Sequence, residues 1–231
     1  MTASMDERLL NLLRIVVEDY IGTSEPVASG GLVERYKLQV SPATIRNWFT
    51  ELDKAGLLLQ PHTSGGRVPT EQGYKQYVDH FITEKPVSKR DRDKLAISAT
   101  TPRNEGQRVK SVAKMLAELS GLAVIVAHSE ADTYYTGLSQ LFAQPEFREW
   151  QRVVSLSELL DHLDDTLSAL RQRSFIAPQI LIGEECPFGQ ACSAVLGSTE
   201  EGLVGILGPI RMDYQYSSGL MRTAMDAISQ V

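Results

Sequence analysis

The sequence predicts an α+β protein, in which three helices and a small hairpin are followed by a mixed α/β half. Apolar residues recur at helical spacing over residues 7–55, a short apolar run follows at 57–59, and the chain then turns at Gly65-Gly66. Compact apolar runs alternate with amphipathic segments over the rest of the chain. With 231 residues, of which 42% are hydrophobic and 23% charged, the chain has the composition of a globular protein with two domains.

The first two helices are defined by the residues at their ends. Residues 7–20 have one apolar side, with Asp6 as the N-cap and Gly22 just past the C-terminal end. A short second helix is predicted over residues 28–36, although it contains two glycines. A tight turn at residues 37–40 follows it.

Ser41 and Pro42 form the strongest helix start in the chain. Serine caps the free amides, and proline at the first helical position loses no hydrogen bond. The third helix is predicted over residues 42–55 and is followed by a short strand at 57–60. Residues 61–66 have turn composition, and Arg67-Val68 then runs back along the strand to complete a small hairpin. Three helices followed by a hairpin is the order of a winged helix-turn-helix domain.

The domain boundary is predicted after a fourth helix that begins at Thr70. The polar stretch 85–105, with two prolines, is interpreted as a linker. We therefore expect a winged-helix DNA-binding domain at 1–84 and a second domain at 106–231.

The second domain is predicted to contain both helices and strands. Helices are expected from Gly106 to Gly121, over 157–171 and at the C-terminus. The candidate strands are residues 122–127, 175–182 and 202–207.

The third helix has the two faces that a DNA-reading helix needs. At 100° per residue its inner side is Ile45, Trp48, Phe49 and Leu52, and its outer side is Ala43, Arg46, Asn47, Thr50 and Lys54. Arginine can form two hydrogen bonds with guanine and asparagine two with adenine, whereas threonine and lysine can hold phosphate. In most amphipathic helices the polar side simply faces solvent, so this helix alone does not show that the protein binds DNA.

The tip of the predicted hairpin favours DNA binding, because it is flexible and rich in hydrogen-bond donors. Arg67 is its main candidate for a phosphate or minor-groove contact, and a solvent-exposed turn is the alternative. The predicted DNA-binding residues are Ser41, Ala43, Thr44, Arg46, Asn47, Thr50, Lys54, His62, Thr63, Ser64 and Arg67.

The charge of the chain limits how it can bind DNA. The net charge is −6, which argues against nonspecific coating of nucleic acid. A single acidic copy should bind weakly, so we expect a homodimer that contacts two half-sites.

Several other classes of protein are disfavoured. No apolar run reaches the roughly 20 residues that span a bilayer and no leader pattern is present, so no membrane association and a cytoplasmic location are expected. Cys186 and Cys192 match neither a redox nor a zinc pair and are predicted to be free thiols. The histidines are scattered and no phosphate loop or nucleophile elbow is present, so we predict no enzyme activity, metal or cofactor.

Five stretches closely resemble the heat-inducible transcription repressor family, HrcA. Four lie in the first 70 residues: IVVEDYI at 15–21, EPV at 25–27, VSPATIRN at 40–47 and QPHTSGGRVPT at 60–70. The fifth is GILGPIRMDY at 205–214. QPEF at 144–147 and IGEE at 182–185 are similar to weaker landmarks of the family. The chain is shorter than is usual for the family, and the shortening falls in its C-terminal half.

The resemblance implies a dimeric repressor with a winged-helix head and a GAF-like C-terminal regulatory and dimerisation domain. It further implies an inverted-repeat operator in double-stranded DNA upstream of chaperone operons, and the chaperonin as a partner. A GAF-like domain often holds a small ligand, and Arg211 and Tyr214 are the polar candidates for such a regulatory site. An internal ion pair and a core aromatic are the structural alternatives for these two residues.

Two other functions remain open at this stage. The C-terminal domain could sense a small-molecule ligand, in which case a metabolite should stabilise the protein. The winged helix could instead bind protein or RNA, in which case binding would not depend on the spacing of an inverted repeat.

Overall fold

The computed structural model describes residues 6–61, 65–83, 85–101, 104–129, 132–147 and 163–229. The chain divides into two compact units, Met1–Ile82 and Thr83–Val231. The first contains helices and a two-stranded antiparallel hairpin, and the second contains helices and a five-stranded antiparallel sheet. The predicted α+β class is confirmed. Among the described residues, no helix combines the length and the apolar character needed to cross a bilayer.

The elements of the first unit follow the predicted order. They are α1 (Glu7–Thr23), α2 (Ser29–Tyr36), α3 (Pro42–Lys54), β1 (Leu58–Leu59), β2 (Val68–Pro69) and α4 (Glu71–Phe81). The apolar sides of the helices form the core, in which Leu13, Val16, Ile45 and Leu52 are fully buried. Asp6 and Thr70 cap α1 and α4 as predicted, each accepting a backbone N–H with its side chain.

The first helix is longer than the sequence indicated. Gly22, the expected stop, lies inside α1, and the helix ends at Thr23 with Ser24 as its C-cap. Ser24 adopts the left-handed conformation (φ 60°), and its N–H donates to the carbonyl of Tyr20. A backbone hydrogen bond at the C-terminus therefore replaces the glycine that the pattern suggested.

A buried carboxylate links the first two helices. Asp19 on α1 is 6% exposed and forms an ion pair with Arg35 on α2. Tyr36 Oη donates to Asp19 Oδ1 at 3.3 Å. Burial raises the pKa of Tyr36 above its ordinary value, and the negative charge of Asp19 raises it further, so the phenol stays protonated and can act as a donor.

Among its described residues the second unit contains five α-helices, five strands and two short 3₁₀ helices, Pro145–Phe147 and Gly183–Glu185. The helices are α5 (Lys89–Thr100), α6 (Glu105–Ser120), α7 (Leu138–Phe142), α8 (Leu163–Arg171) and α9 (Tyr214–Ser229). The strands are β3 (Ala123–Ser129), β4 (Asp132–Thr136), β5 (Gln179–Ile182), β6 (Cys192–Thr199) and β7 (Gly202–Pro209).

The five strands form one antiparallel sheet in the order β4-β3-β7-β6-β5. Alternate residues point to opposite faces. One face, including Ile125, Leu196 and Leu207, packs on a core that Leu141 of α7 and Leu167 of α8 complete. The opposite face packs on α6 and α9. Since β6 and β7 are covered on both faces, their residues are buried almost without interruption.

The prediction that residues 85–105 form a linker is wrong. Most of this stretch is the helix α5, which packs against α6 and α9. Leu95 and Ala99 are fully buried there, and Ser98 is 7% exposed. This stretch is polar because most of the surface of α5 faces solvent and only a narrow row of its side chains is buried.

One strand expectation for this half needs correction, and two strands were missed. The strand predicted at 175–182 is only Gln179–Ile182, and β4 and β6 were not predicted. The helix predicted over 157–171 is seen as Leu163–Arg171, and its earlier residues lie outside the described part of the chain.

Candidate nucleic-acid interface

The helix α3 is built as a rigid support for an exposed polar side. Ser41 Oγ accepts the N–H of Thr44 at 3.1 Å, and Pro42 occupies the first turn. Phe49 is buried between the core residues Ile45 and Leu52, and the predicted inner residue Trp48 is only half-buried. These contacts fix the rotation of the helix about its axis.

The opposite side of α3 faces solvent, as the helical wheel predicts. Ala43, Arg46, Asn47, Thr50 and Lys54 are all exposed. Ser41 and Thr44 lie at the start of the helix and bond to each other through their hydroxyls at 3.0 Å. Ser41 therefore caps the helix, and Thr44 contacts this cap, in addition to any role in binding.

Beside α3 lies an open groove with a volume of about 410 Å³, bounded by the start of α2 and by the hairpin. Arg46 reaches across it, with Nη1 3.5 Å from Ser29 Oγ. Phe49 and Gln60 also line the groove. Ser29 and Gln60 were not predicted as site residues, because only the fold brings them next to Arg46.

Arg67 is placed differently from the free contact that the sequence suggested. Its Nε donates to both carboxylate oxygens of Asp53 on α3, at 2.8 and 3.0 Å. Its side chain is 16% exposed. Arg67 thus connects the hairpin to α3, and any contact with a phosphate would be made from this braced position.

The backbone of Arg67 also fixes the hairpin to the start of α2. The N–H and carbonyl of Arg67 pair with those of Val27 at 2.9 and 2.8 Å. At Gly66 a Cβ atom would lie 2.4 Å from the Val27 carbonyl oxygen. Glycine is therefore required here by close backbone contact. The neighbouring predicted residues His62, Thr63 and Ser64 lie outside the described part of the chain.

The two candidate regulatory residues of the second unit lie in internal contacts. Arg211 Nε donates to Glu146 Oε1 at 2.5 Å, and Nη2 donates to Gln144 at 3.3 Å. Tyr214 is fully buried, with its hydroxyl 2.9 Å from Ser193 Oγ and also donating to the carbonyl of Ile210. These contacts match the structural alternatives of an ion pair and a core aromatic.

The two cysteines are buried free thiols. Burial raises the pKa of Cys186 and of Cys192 to about 12. Within the described part of the chain, no group of His, Cys, Asp and Glu side chains is arranged to hold a metal ion.

Comparison with known proteins identifies the family. The model of the HrcA protein C terminal domain matches residues 75–217. The Heat-inducible transcription repressor HrcA of Thermobifida fusca (strain YX) is 43% identical over 124 residues, which are 54% of this chain and 36% of that relative. The HrcA of Thermosynechococcus vestitus (strain NIES-2133 / IAM M-273 / BP-1) is 27% identical over 346 aligned positions, covering 100% of this chain and 98% of the relative.

One solved structure has the same fold over nearly the full length. It is described as the crystal structure of a hypothetical protein at 2.2 Å resolution, with a TM-score of 0.81 at 16% identity, covering 98% of both chains. The α+β fold and the family model thus agree, and the chain belongs to the HrcA family. The matches to the first relatives span little more than a third of their lengths, 36% and 38%.

Proposed function

We propose that the protein is a transcription repressor of heat-shock (chaperone) operons that binds an inverted-repeat operator in double-stranded DNA as a homodimer. The main support is the exposed side of α3, which carries Arg46 and Asn47 and from which Arg46 lines the groove beside the hairpin. The printed name of the relatives, heat-inducible transcription repressor, points to the same function.

In this proposal the first unit, Met1–Ile82, is a winged-helix DNA-binding domain, and the second unit, Thr83–Val231, which includes α5, is a GAF-like regulatory and dimerisation domain. The chaperonin is proposed as a further partner, through which the chaperone content of the cell would control repression. No catalytic step is required for this function.

Direct reading of bases would come from α3. With α3 in the major groove, Arg46 can form two hydrogen bonds with guanine and Asn47 two with adenine. Thr50 and Lys54 lie on the same exposed side, where they can hold phosphates of the flanking backbone. Gly65-Gly66 of the hairpin would approach the duplex backbone beside the helix.

Dimerisation follows from the balance of charge. The chain carries 23 basic and 29 acidic residues, so long-range attraction to DNA is weak. Two linked heads raise the affinity for a site with two half-sites, because the second head binds at a high effective concentration.

A gel-shift titration at fixed, near-physiological salt tests the proposal. The purified chain is titrated against its own upstream promoter, a scrambled duplex and promoters whose half-sites are moved apart by about half a helical turn, roughly 5 base pairs. We expect tight binding to the promoter alone, loss of binding on moving the half-sites, and tighter binding with added chaperonin. Equal affinity for the promoter and the scrambled duplex would contradict the proposal.

The same titration with Arg46→Ala separates base reading from general attraction. We expect a loss of about 1–3 kcal/mol on the promoter and little change on the scrambled duplex. Arg90→Ala, which removes an exposed arginine from α5, is the matched control and should bind the promoter as the parent does.

A second candidate function is a winged-helix regulator whose C-terminal domain senses a small ligand. A basic groove in the second unit favours it, and this groove is the basis of the next inference. Stabilisation by a metabolite, with no effect of chaperonin on the gel shift, would favour this candidate over the first.

A further inference from the structure

The second unit contains an open groove that the proposed repressor function does not use. It lies between the C-terminal end of α8 and the turn from β6 to β7, and its volume is about 360 Å³. Small-molecule sites fall in this range of volume. The groove is distinct from the contacts of Arg211 and Tyr214, which are not among the residues that line it.

Positive charge dominates the lining of the groove. Arg171 and Arg173 both line it, are exposed, and form no ion pair with any described residue. His128 adds an imidazole, and Glu200 is the one acidic residue of the lining among the described residues. Two arginines that line one groove are suited to an oxyanion, because each guanidinium can form paired hydrogen bonds with carboxylate or phosphate oxygens.

The segment that presents Arg173 is held in place. The next residue but one, Phe175, is 2% exposed; its N–H donates to Ser198 Oγ at 3.0 Å, and its carbonyl accepts the N–H of Ser198 at 2.9 Å. The guanidinium of Arg173 lies 5.1 Å from the centre of the Phe175 ring, within the range of a cation–π contact. Little ordering is therefore needed when a ligand binds at this side of the groove.

The opposite side of the groove is equally well fixed. His128 Nδ1 lies 2.5 Å from the carbonyl oxygen of Glu201, and because a carbonyl can only accept, Nδ1 carries the proton. The turn cannot move away from β3 easily, since Gly202 (φ 126°) lies so close that a Cβ would be 2.3 Å from the Ala127 carbonyl oxygen. A buried ion pair between Arg108 and Glu201, 2.7 Å in length, also holds the turn.

We propose that this groove binds a small metabolite through an anionic oxygen group, phosphate or carboxylate, held by Arg171 and Arg173. Ser174 supplies a neutral hydroxyl donor beside the anion, whereas the hydroxyl of Thr199 already donates to the carbonyl of Gly202 at 3.0 Å and so helps to hold the turn. Glu200 is placed to accept a hydrogen bond from a hydroxyl or amino group elsewhere on the ligand. The proposal goes beyond DNA binding and does not depend on it.

The test is a titration of the full-length chain with two probes, inorganic phosphate and succinate, followed by amide NMR. We expect the amide signals of Ser174 and Gly202 to shift with at least one probe, while those of α1 to α3 stay unchanged. A response to phosphate alone identifies a phosphorylated ligand, and a response to succinate alone identifies a dicarboxylate. No shift with either probe up to about 20 mM would overturn the proposal, because a paired-arginine site should bind more tightly than that.

A double substitution, Arg171→Gln with Arg173→Gln, tests which residues bind the probe. We expect affinity to fall by about tenfold or more, since both charged donors are lost. The control is Arg90→Gln with Arg92→Gln, which removes the same charge from the exposed side of α5 and should leave affinity unchanged. Equal affinity of the groove variant and the parent would overturn the assignment, and the melting temperature of each variant shows whether it is folded.

Discussion

Arg67 in the hairpin donates through Nε to both carboxylate oxygens of Asp53 in α3, at 3.0 and 2.8 Å. The contact joins the hairpin to α3, and in the proposed function both of these elements contact DNA. A hairpin connected in this way to α3 cannot swing independently, so in the proposed complex the docking of the helix would set the position of the hairpin on the duplex backbone.

The first prediction distinguishes two roles of Arg67, holding the hairpin against α3 and contacting a DNA phosphate. Arg67→Ala should weaken binding to all DNA sequences and lower the salt slope by about one, because one phosphate contact is lost. Asp53→Asn removes the ion pair but keeps the arginine, so the salt slope should stay that of the parent. The slopes are measured by titration at several salt concentrations. If both variants keep the parent's slope, Arg67 only braces the hairpin.

The second prediction concerns the base preference of α3. Asn47→Ala should cost about 1–3 kcal/mol of binding free energy and relax the preference at one base pair per half-site. Competition among operators with single changes measures it. Gln72→Ala truncates another exposed amide, on α4, and serves as the control that should bind as the parent does. An unchanged preference in the Asn47 variant would show that Asn47 does not read a base.

The third prediction tests the close contact at Gly66. Gly66→Ala places Cβ 2.4 Å from the Val27 carbonyl oxygen and should lower the free energy of unfolding by about 1–3 kcal/mol. Gly30→Ala is the matched control, because no atom lies within 4 Å of its Cβ and alanine is the better helix former. It should stabilise the protein by about 0.5–1 kcal/mol. Urea unfolding measures both, and equal effects of the two substitutions would contradict the backbone contact.

Some elements could be predicted because their signals are local. The start of α3 depends on Ser41 and Pro42 alone, and the start of α4 on Thr70, whose side chain accepts the N–H of Gly73. These caps act within three residues, so the sequence contains all that is needed to find them. The exposed side of α3 follows in the same way from helical periodicity.

Other elements could not be predicted, because tertiary packing determines them. The helix α5 buries only Leu95, Ser98 and Ala99, so its sequence lacks the regular apolar spacing of a helix and resembles a polar linker. The strand β6 is covered on both faces and lacks the alternation that identifies a strand. The contact of Arg67 with Asp53 joins residues 14 positions apart in different elements, and no spacing rule indicates it.

The fourth prediction follows from the two buried thiols. The pKa of each is raised from 9.0 to about 12, so the unfolded chain loses these protons near pH 9 while the folded chain keeps them. Their contribution is fully present below pH 9, and stability falls between pH 9 and 12 by up to about 1.4 kcal/mol per pH unit for each thiol. Urea unfolding at pH 8, 9 and 10 measures the slope. The double variant Cys186→Ala with Cys192→Ala should show a shallower fall, and an identical slope would contradict the burial of the thiols.

The last prediction decides between structural and regulatory roles for Arg211. Its side chain is 11% exposed and that of Glu146 is 18% exposed, so Arg211→Met leaves a largely buried carboxylate without its cation. The free energy of unfolding should fall by about 2–4 kcal/mol, and adding Glu146→Met should recover most of the loss, because no buried charge then remains. Lys94→Met breaks the more exposed ion pair with Glu118 and should cost less than about 1 kcal/mol. Urea unfolding of the four proteins provides the comparison. A small loss for Arg211→Met, together with loss of a ligand response, would instead assign Arg211 to a regulatory site.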